Sequence, residues 1–575
     1  MLPALLNLTP TAATAVDGAP AGVAGVGVLD WALAVSPVVL LLALVLWGRL
    51  SMLVNASVTV AYALATALLA FGAPPLTVAV GLGKGAWVGV WILYVIGPAL
   101  LMHHLATRVG MVSLGRSLAR VLPSRTENVL LLAWVLPSFI QGVSGFGTPI
   151  AVAAPLLVAL GVSVPRAVAL PLVGYHWAVG FGSMGSSFYM GALTGHLDGA
   201  ETVSFAAAAS LALGVNCLLS GVLVAVMSSG RRALREAWPM LVTVGPAMAL
   251  VQAAVAHLEP GIGALGGGAA GIATVFLLRA VRRGRSRPVE RRDDADVRAD
   301  LDAGGVREVE ADAGGQPAPG TPVEAAAERA RACAAAIPYA VLAAVALLVF
   351  LPPAVRAWAK THLLLGPSFP ATVTGEGVAN PAVSTYNPIA VLGHPGTFLL
   401  VASGLSLLVW KRNGDWPRHA WGAVWLAALK QFRKSAPSVL LLAAVAGVLV
   451  DSGMVSAVAR GAAAAAGSGY PFLAPVVGAL GSFITGSTTS SNALFSAFQV
   501  EVAQLIDAPG PALLAGQLAG GNIGNSLAPV VIVLGLSAVG GDRASSGAVL
   551  RMTLLPAAVL LVATVATTVG LTALL

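Results

Sequence analysis

Apolar residues gather in long runs along this chain, near 31–48, 54–73, 85–106, 202–228, 238–256, 261–280, 337–357, 395–410, 436–451 and 548–573. A helix needs about 20 such residues to cross roughly 30 Å of hydrocarbon. Each run therefore predicts a transmembrane helix. With the less regular stretches 128–195 and 468–540 added, the pattern predicts about 12–14 crossings. Those two stretches differ from the rest. In each, an apolar arm of about a dozen residues, too short to cross alone, meets a polar, Gly-rich break and then a second apolar arm: 128–140 in the first and 471–484 in the second. The segment 281–335 has few large apolar residues and many Arg, Asp, Glu, Gly and Pro. It cannot bury enough surface to order itself and predicts a disordered linker.

The breaks are related. "SFIQGVSGFGTPIAVA" at 138–153 aligns without gaps on "SFITGSTTSSNALFSA" at 482–497, sharing Ser-Phe-Ile-x-Gly ahead of an apolar helix. Placed after an apolar arm in each half of the chain, the pair predicts an internal duplication, which is a layout of transporters. The expected organisation is an N-terminal membrane half, 1–280, with a hairpin near 128–162. The linker 281–335 follows, and then a C-terminal half, 336–575, with a hairpin near 471–506. The fold class is an all-α integral membrane protein whose halves each carry a re-entrant or broken-helix hairpin.

Composition agrees: 57% of the residues are hydrophobic, 10% are charged, and the mean hydropathy is +0.87. The net charge of +8 does not point to nucleic acid, because the basic residues sit at the ends of apolar runs, as the positive-inside rule requires. Four clusters, Arg108 to Arg125, Arg231 to Arg235, Arg279 to Arg292 and Lys411 to Lys434, are expected in the cytoplasm together with the linker. The first 30 residues hold no Lys or Arg, so the charged region of a signal peptide is missing and the N-terminus is expected to remain, outside. Cys217 and Cys333 are the only cysteines and predict no disulfide framework. Of 24 acidic residues, 11 fall between Glu290 and Glu328. The spans are left nearly free of carboxylates, with Asp451 and Glu501 the nearest candidates.

Unwound backbone at membrane depth is tolerated only where it is buried in protein or lines a wet cavity, so the breaks are expected to line one. Thr148 before Pro149, and Ser491 or Asn492 before Ala493, read as helix-start signals. Two half-helix N-termini would then aim amides and partial positive charge at one point, a site for an anion. The candidate binding residues are Gln141, Gly142, Ser144, Gly145, Phe146, Gly147 and Thr148 on one tip. Thr485, Gly486, Ser487, Thr488, Thr489, Ser490, Ser491 and Asn492 are their counterparts on the other. The bland alternative is that small polar residues only let helices pack closely; the unbroken polar run 487–492 is hard to satisfy that way. "GYHWAVGFGSMGSS" at 174–187 and "GQLAGGNIGNSLAP" at 516–529 read as further cavity wall. Asn522 and Asn525 of that wall are also candidate binding residues. Asn522, Asn525 and Ser526 could coordinate Na⁺ through oxygen, and His176 could carry a proton, so these four are the coupling candidates. The expected partners are a small organic anion, a coupling H⁺ or Na⁺, and membrane lipid. No cofactor, metal site or enzymatic activity is expected, and a homo-oligomer is left open.

Two other readings compete with the carrier. Gly142-Val143-Ser144-Gly145 matches the G-x-S-G of intramembrane serine proteases, with His176 as base, but the chain has about twice the expected spans and places Thr488 opposite Ser144. A channel needs a continuous polar lining, whereas here polar residues concentrate at two tips and one wall.

The hairpin motifs resemble those of the L-lactate permease family, which includes glycolate permeases. "FIQGVSGFGTPIAVAAPLLVALG" at 139–161 resembles its first signature and "FITGSTTSSNALF" at 483–495 its second, with "FGSMG" at 181–185, "REAWP" at 235–239 and "GGNIGNSLAP" at 520–529 in family order. The resemblance covers most of the chain apart from 281–335. It implies uptake of 2-hydroxy-monocarboxylates such as lactate or glycolate across a bacterial inner membrane, in symport with protons. The family usually has Glu at Gln141, Asp at Thr488 and Lys at Asn525. Gln and Thr cannot exchange a proton at physiological pH, so the resemblance also implies a change of coupling ion or of preferred acid, with Na⁺ coupling as the alternative.

Overall fold

The computed structural model describes residues 28–47, 50–110, 113, 122, 124–143, 145, 147–285, 322–350, 352–417, 420–541 and 545–575. The expected outward N-terminus, the middle of the linker, Ser144, Phe146, Arg116, Arg120 and Arg418 lie outside the described residues.

Helices form where the apolar runs predict them. The first three are α1 (Val28–Trp47), α2 (Met52–Leu69) and α3 (Pro75–Val109). The first broken stretch gives α4 (Arg125–Val143), α5 (Thr148–Ala159), α6 (Val164–Tyr175) and α7 (Gly182–Thr194). Next come α8 (Gly199–Leu258), α9 (Gly263–Arg285), α10 (Pro322–Phe350), α11 (Pro353–Thr361), α12 (Pro395–Asn413), α13 (Ala420–Asp451) and α14 (Met454–Ala466). The second broken stretch gives α15 (Ala474–Thr485), α16 (Thr488–Leu505), α17 (Gly510–Leu527) and α18 (Pro529–Ala538), and α19 (Ser546–Leu574) closes the order.

Three expectations need correction. Helix reaches into both ends of 281–335, since α9 runs to Arg285 and α10 starts at Pro322; the Ala-rich stretch after Pro322 favours helix and the linker is shorter than composition indicated. Among the described residues seven helices are long and apolar enough to cross a bilayer, or up to nine if each of two bent pairs is one span, against the 12–14 segments expected. The gap arises because short helices such as α5 do not qualify alone and because α8 counts once. Yet α8 holds 60 residues and leaves helical geometry at Ser229 (φ −151°) and Gly230 (φ +66°). Unbroken it would reach about 90 Å, so the break restores the two arms predicted at 202–228 and 238–256. Finally, four two-residue strands between α11 and α12 pair antiparallel: β1 (Leu364–Leu365) with β4 (Ile389–Ala390), and β2 (Thr372–Val373) with β3 (Ala379–Asn380). They stiffen a strap, residues 362–393, that lies on α3, where Thr77 Oγ1 donates to Val373 O (2.7 Å) and Trp87 Nε1 to Asn387 O (3.0 Å).

Glycine sets the closest helix crossings, as it does where membrane helices pack by backbone approach. Gly81, Gly85 and Gly89 recur every fourth residue on one face of α3. A Cβ on Gly85 would overlap Ala443 O of α13, and one on Gly447 would overlap Gly81 O. The same device joins the second hairpin to its wall, where a Cβ on Gly478 of α15 would overlap Gln517 O and one on Gly520 or Gly524 of α17 would overlap α15 backbone. Trp134, Trp177, Phe181, Phe188 and Phe205 are fully buried in the main apolar core behind the first hairpin.

Candidate functional site

The first hairpin breaks where glycine permits it. α4 ends at Val143, and Gly147 (φ +84°, ψ −1°) starts α5 from the left-handed region, which costs glycine nothing. Gly147, rather than Thr148, is therefore the cap, and Thr148 is the first helical residue with Pro149 behind it. The N–H of Thr148 donates to Gly145 O (3.0 Å).

The second hairpin breaks one residue after α15, at Gly486 (φ +69°). Ser487 is extended (φ −154°, ψ 121°), and its hydroxyl accepts the N–H of Ser490 (3.2 Å), the geometry of an N-cap. This places the cap of α16 four residues ahead of the expected Ser491 and five ahead of Asn492. Those two residues sit inside the first turns with their side chains turned inward. Ser491 Oγ donates to Gly478 O (3.1 Å) and Asn492 Nδ2 to Ser187 O (2.8 Å).

Two further interruptions hold the tips. At the start of α7, Ser183, Met184 and Gly185 have φ of 48°, 53° and 74°. Left-handed conformations in non-glycine residues persist only where surrounding structure fixes them. Here the Gly145 N–H donates to Ser183 Oγ (2.8 Å), and Ser187 and Thr489 share a hydrogen bond of 3.0 Å, so α7 touches both hairpins. On the other side α17 and α18 meet at a 49° bend. Asn525 Nδ2, just before it, donates to Gly486 O (2.9 Å). A Cβ on Gly147 would overlap Leu534 of α18.

These elements enclose a cavity of about 300 Å³, the lower end of the range of small-molecule sites. Of the predicted residues, Gln141, Gly147, Thr485, Gly486, Ser487, Thr488, Thr489, Ser490 and Asn525 line it. Both tips thus meet at one space. Gly142, Gly145, Thr148, Ser491, Asn492, Asn522, Ser526 and His176 do not line it, and Ser144 and Phe146 are outside the described residues. Gly142 is used in packing, for a Cβ there would overlap Leu265 of α9. Asn522 Nδ2 faces Trp177 O (3.5 Å), Ser526 Oγ donates to Ile523 O (2.7 Å), and His176 Nδ1 lies 2.8 Å from Val173 O and 3.3 Å from Ser220 Oγ. His176 is thus a hydrogen-bonded interior residue rather than part of the cavity wall.

Most of the polar run is committed to its own hairpin. Thr485 Oγ1 donates to Gly481 O (2.8 Å) and accepts the N–H of Ser487 (3.3 Å). Thr488 differs: the residue lines the cavity, while its hydroxyl is buried beside it and has no protein partner. A buried hydroxyl without a partner costs about 1–3 kcal/mol, so a ligand acceptor or donor there would recover that loss.

Sequence reasoning missed the third wall. Gln431, Lys434 and Ser438 of α13 line the cavity, and Lys434 is the only charged residue among those lining it. Tyr175, Ser183, Ser186 and Ser187, in the stretch 174–187 expected as cavity wall, do line it. Lys434 stands where α13 turns apolar, and its place in a basic cluster concealed it, since a flanking lysine and a site lysine look alike in sequence.

The family model described as L-lactate permease matches residues 30–575. An L-lactate permease of Escherichia coli K12 is 27% identical over 504 residues, covering 85% of this chain and 86% of that protein. The glycolate permease GlcA of the same organism is 24% identical over 508 residues, covering 86% and 87%. Among solved structures, the YdaH transporter of Alcanivorax borkumensis aligns at 16% identity over 84% of this chain and 86% of its own, with a TM-score of 0.43.

Proposed function

The chain belongs to the L-lactate permease family, and we propose that it carries small 2-hydroxy-monocarboxylates, lactate or glycolate, across a bacterial inner membrane by alternating access. It is a multi-pass transport protein and not an enzyme. The observation that carries the reading is the cavity lined by both hairpin tips, by Thr488, whose buried hydroxyl has no protein partner, and by Lys434.

The chemistry follows from those groups. The N-termini of α5 and α16 are lined up on the cavity through Gly147 and Ser487, and a helix N-terminus favours negative charge by about 0.3–1 kcal/mol where exposed and more where partly buried. Lys434 supplies a full positive charge at the same wall. Thr488, Gln141 and Ser490 offer hydrogen bonds to the carboxylate and the 2-hydroxyl. Lys430, Arg433 and Lys434 mark that end of α13 as cytoplasmic by the positive-inside rule, which puts the Lys434 wall of the cavity toward that side, as an inward-facing state of the carrier would require. The halves 1–280 and 336–575 each contribute one hairpin, in keeping with a duplicated carrier.

The test is flux in proteoliposomes with a panel of 2-hydroxy acids under imposed H⁺ or Na⁺ gradients. Uptake of lactate or glycolate with competition by close analogues is the expected result. Absence of flux for every acid in the panel sinks the reading. Accumulation driven by Na⁺ alone favours the second coupling ion, for which the neutral Gln141, Thr488 and Asn525 are the reason.

A further inference from the structure

One ion pair among the described residues has both partners buried. Lys84 of α3 lies with Nζ 2.9 Å from Oδ2 and 3.3 Å from Oδ1 of Asp451, the last residue of α13. The residues are 7% and 4% exposed. The buried carboxylates Glu127 and Glu259 pair instead with the more exposed Arg282 and Lys360. A buried pair is poor value for stability, because desolvating both charges offsets most of their attraction. Ionisable residues inside a membrane bundle are retained chiefly for function.

The surroundings define what can reach this pair. From the strap, Asn380 Nδ2 donates to Asp451 O (3.0 Å) and the Tyr386 ring lies 5.8 Å from the Lys84 ammonium. His196, just past α7, has its ring 6.3 Å from that of Tyr386. α2 packs on α13 and brings no acid or base beyond Tyr62. Arg460 of α14 is taken by Glu376 (3.1 Å), and Glu501 of α16 is hydrogen-bonded to Ser456 beside Arg460. Two elements connect the pair with the cavity. α13 carries Lys434 and Ser438 in the cavity wall, with Asp451 about 20 Å further along; α7 has Ser187 at the cavity and His196 just beyond its far end.

We propose that Lys84 and Asp451 form a joint site for a proton and a carboxylate at the end of α13 away from Lys434 and the cavity: Asp451 takes the proton, and Lys84, released from it, binds the carboxylate of the solute. This rests on the reading of the chain as a monocarboxylate carrier. The balance is simple. One O–H bond forms on Asp451 from an outside proton, Lys84 stays an ammonium throughout, and one carboxylate replaces another as its partner. The site is neutral when empty, with Lys⁺ and Asp⁻, and neutral when loaded, with Lys⁺, protonated Asp and the solute anion. With the anion alone it carries −1, with the proton alone +1, and burying a net charge in an apolar bundle is costly. Proton and anion therefore move together. The coupling sits away from Gln141 and Thr488, neither of which can titrate. Opening on this side parts α3 from α13 at Gly81, Gly85 and Gly447 and lifts the strap.

The experiment uses the full chain in proteoliposomes with L-lactate, measuring lactate exchange at equal pH, accumulation under an inward proton gradient, and proton uptake by an internal pH dye. Wild type is expected to show all three, with one proton per lactate. Asp451→Asn, which imitates the protonated acid, is expected to lose accumulation and proton uptake at least tenfold. Exchange, which never needs the empty site to return, should fall far less, and Asp451→Glu should restore coupling. Accumulation with proton uptake in Asp451→Asn at the wild-type level overturns the proposal. Should that variant not fold, Lys84→Gln with Asp451→Asn leaves no lone charge, and proton uptake persisting there overturns it equally. Wild-type vesicles that exchange neither lactate nor glycolate overturn the functional reading itself. Exchange with accumulation that follows Na⁺ overturns the coupling site alone.

Discussion

The two hairpins share a sequence pattern and a shape but make their turns by different means. The second is held by side chains: Ser487 caps α16, Thr485 ties the turn, Ser491 bonds Gly478 O, and Asn525 fixes Gly486 O. The first is held by backbone and by its neighbours, with Gly147 as a cap that offers no side chain, Ser183 of α7 bonding the Gly145 N–H, and Leu534 packed against Gly147. A dense run of hydroxyls is therefore not by itself a ligand cage. Of the eight hydroxyl and amide side chains between Ser482 and Asn492, several hold their own loop, and Thr488 combines a cavity-lining position with a fully buried hydroxyl that has no protein partner.

The sharpest way to break this contrast is a methyl group on each turn glycine. Gly147→Ala meets both a left-handed backbone and Leu534, and should lose about 2 kcal/mol or more of stability together with transport. Gly486→Ala has its nearest neighbour, Val530 Cβ, at 3.5 Å and should lose only about 1–2 kcal/mol from the backbone term. Thermal unfolding in detergent compares them, and Gly147→Ala with Leu534→Ala should recover part of the loss; equal effects would remove the distinction. Next in size, Thr488→Val keeps the shape but not the hydroxyl, and should raise the KM for lactate about tenfold, the equivalent of one hydrogen bond to a charged group, with Thr488→Ser near wild type. Asn492→Ala should cost about 1 kcal/mol of stability through its bond to Ser187 while KM stays within about twofold; a large KM change would return Asn492 to the site. The smallest effect is expected for Lys434→Gln, since an exposed cation is screened by salt. KM should rise about two- to fivefold, more at low ionic strength, and Lys434→Arg should compensate.

Legibility followed the same division. The apolar runs predicted α1, α2, the first arm of α8 and α19 within a few residues, because in a bilayer a helix must satisfy its own backbone and a run of sufficient length has no other solution. The breaks near 141–149 and 485–492 were legible too, since Gly and hydroxyl residues interrupting such runs have few uses. Their helix caps were misplaced by one residue at Gly147 and by four or five at Ser487, because several adjacent Ser and Thr residues can each serve as a cap and only the turn geometry selects among them. The strap 362–393 and the Lys434 wall were missed, as neither alters the hydropathy pattern.

By itself, then, the sequence determined that the chain crosses a membrane many times and that two related tips interrupt the crossings. These are local properties, set by hydrophobicity and turn chemistry over a dozen or two residues. The tertiary structure alone decided which polar groups face the cavity, that Lys434 joins them from a helix outside both hairpins, and that Lys84 meets Asp451 across 367 positions of chain. Those meetings depend on which glycine faces bring helices together, and a contact between distant segments has no signature in either segment read alone.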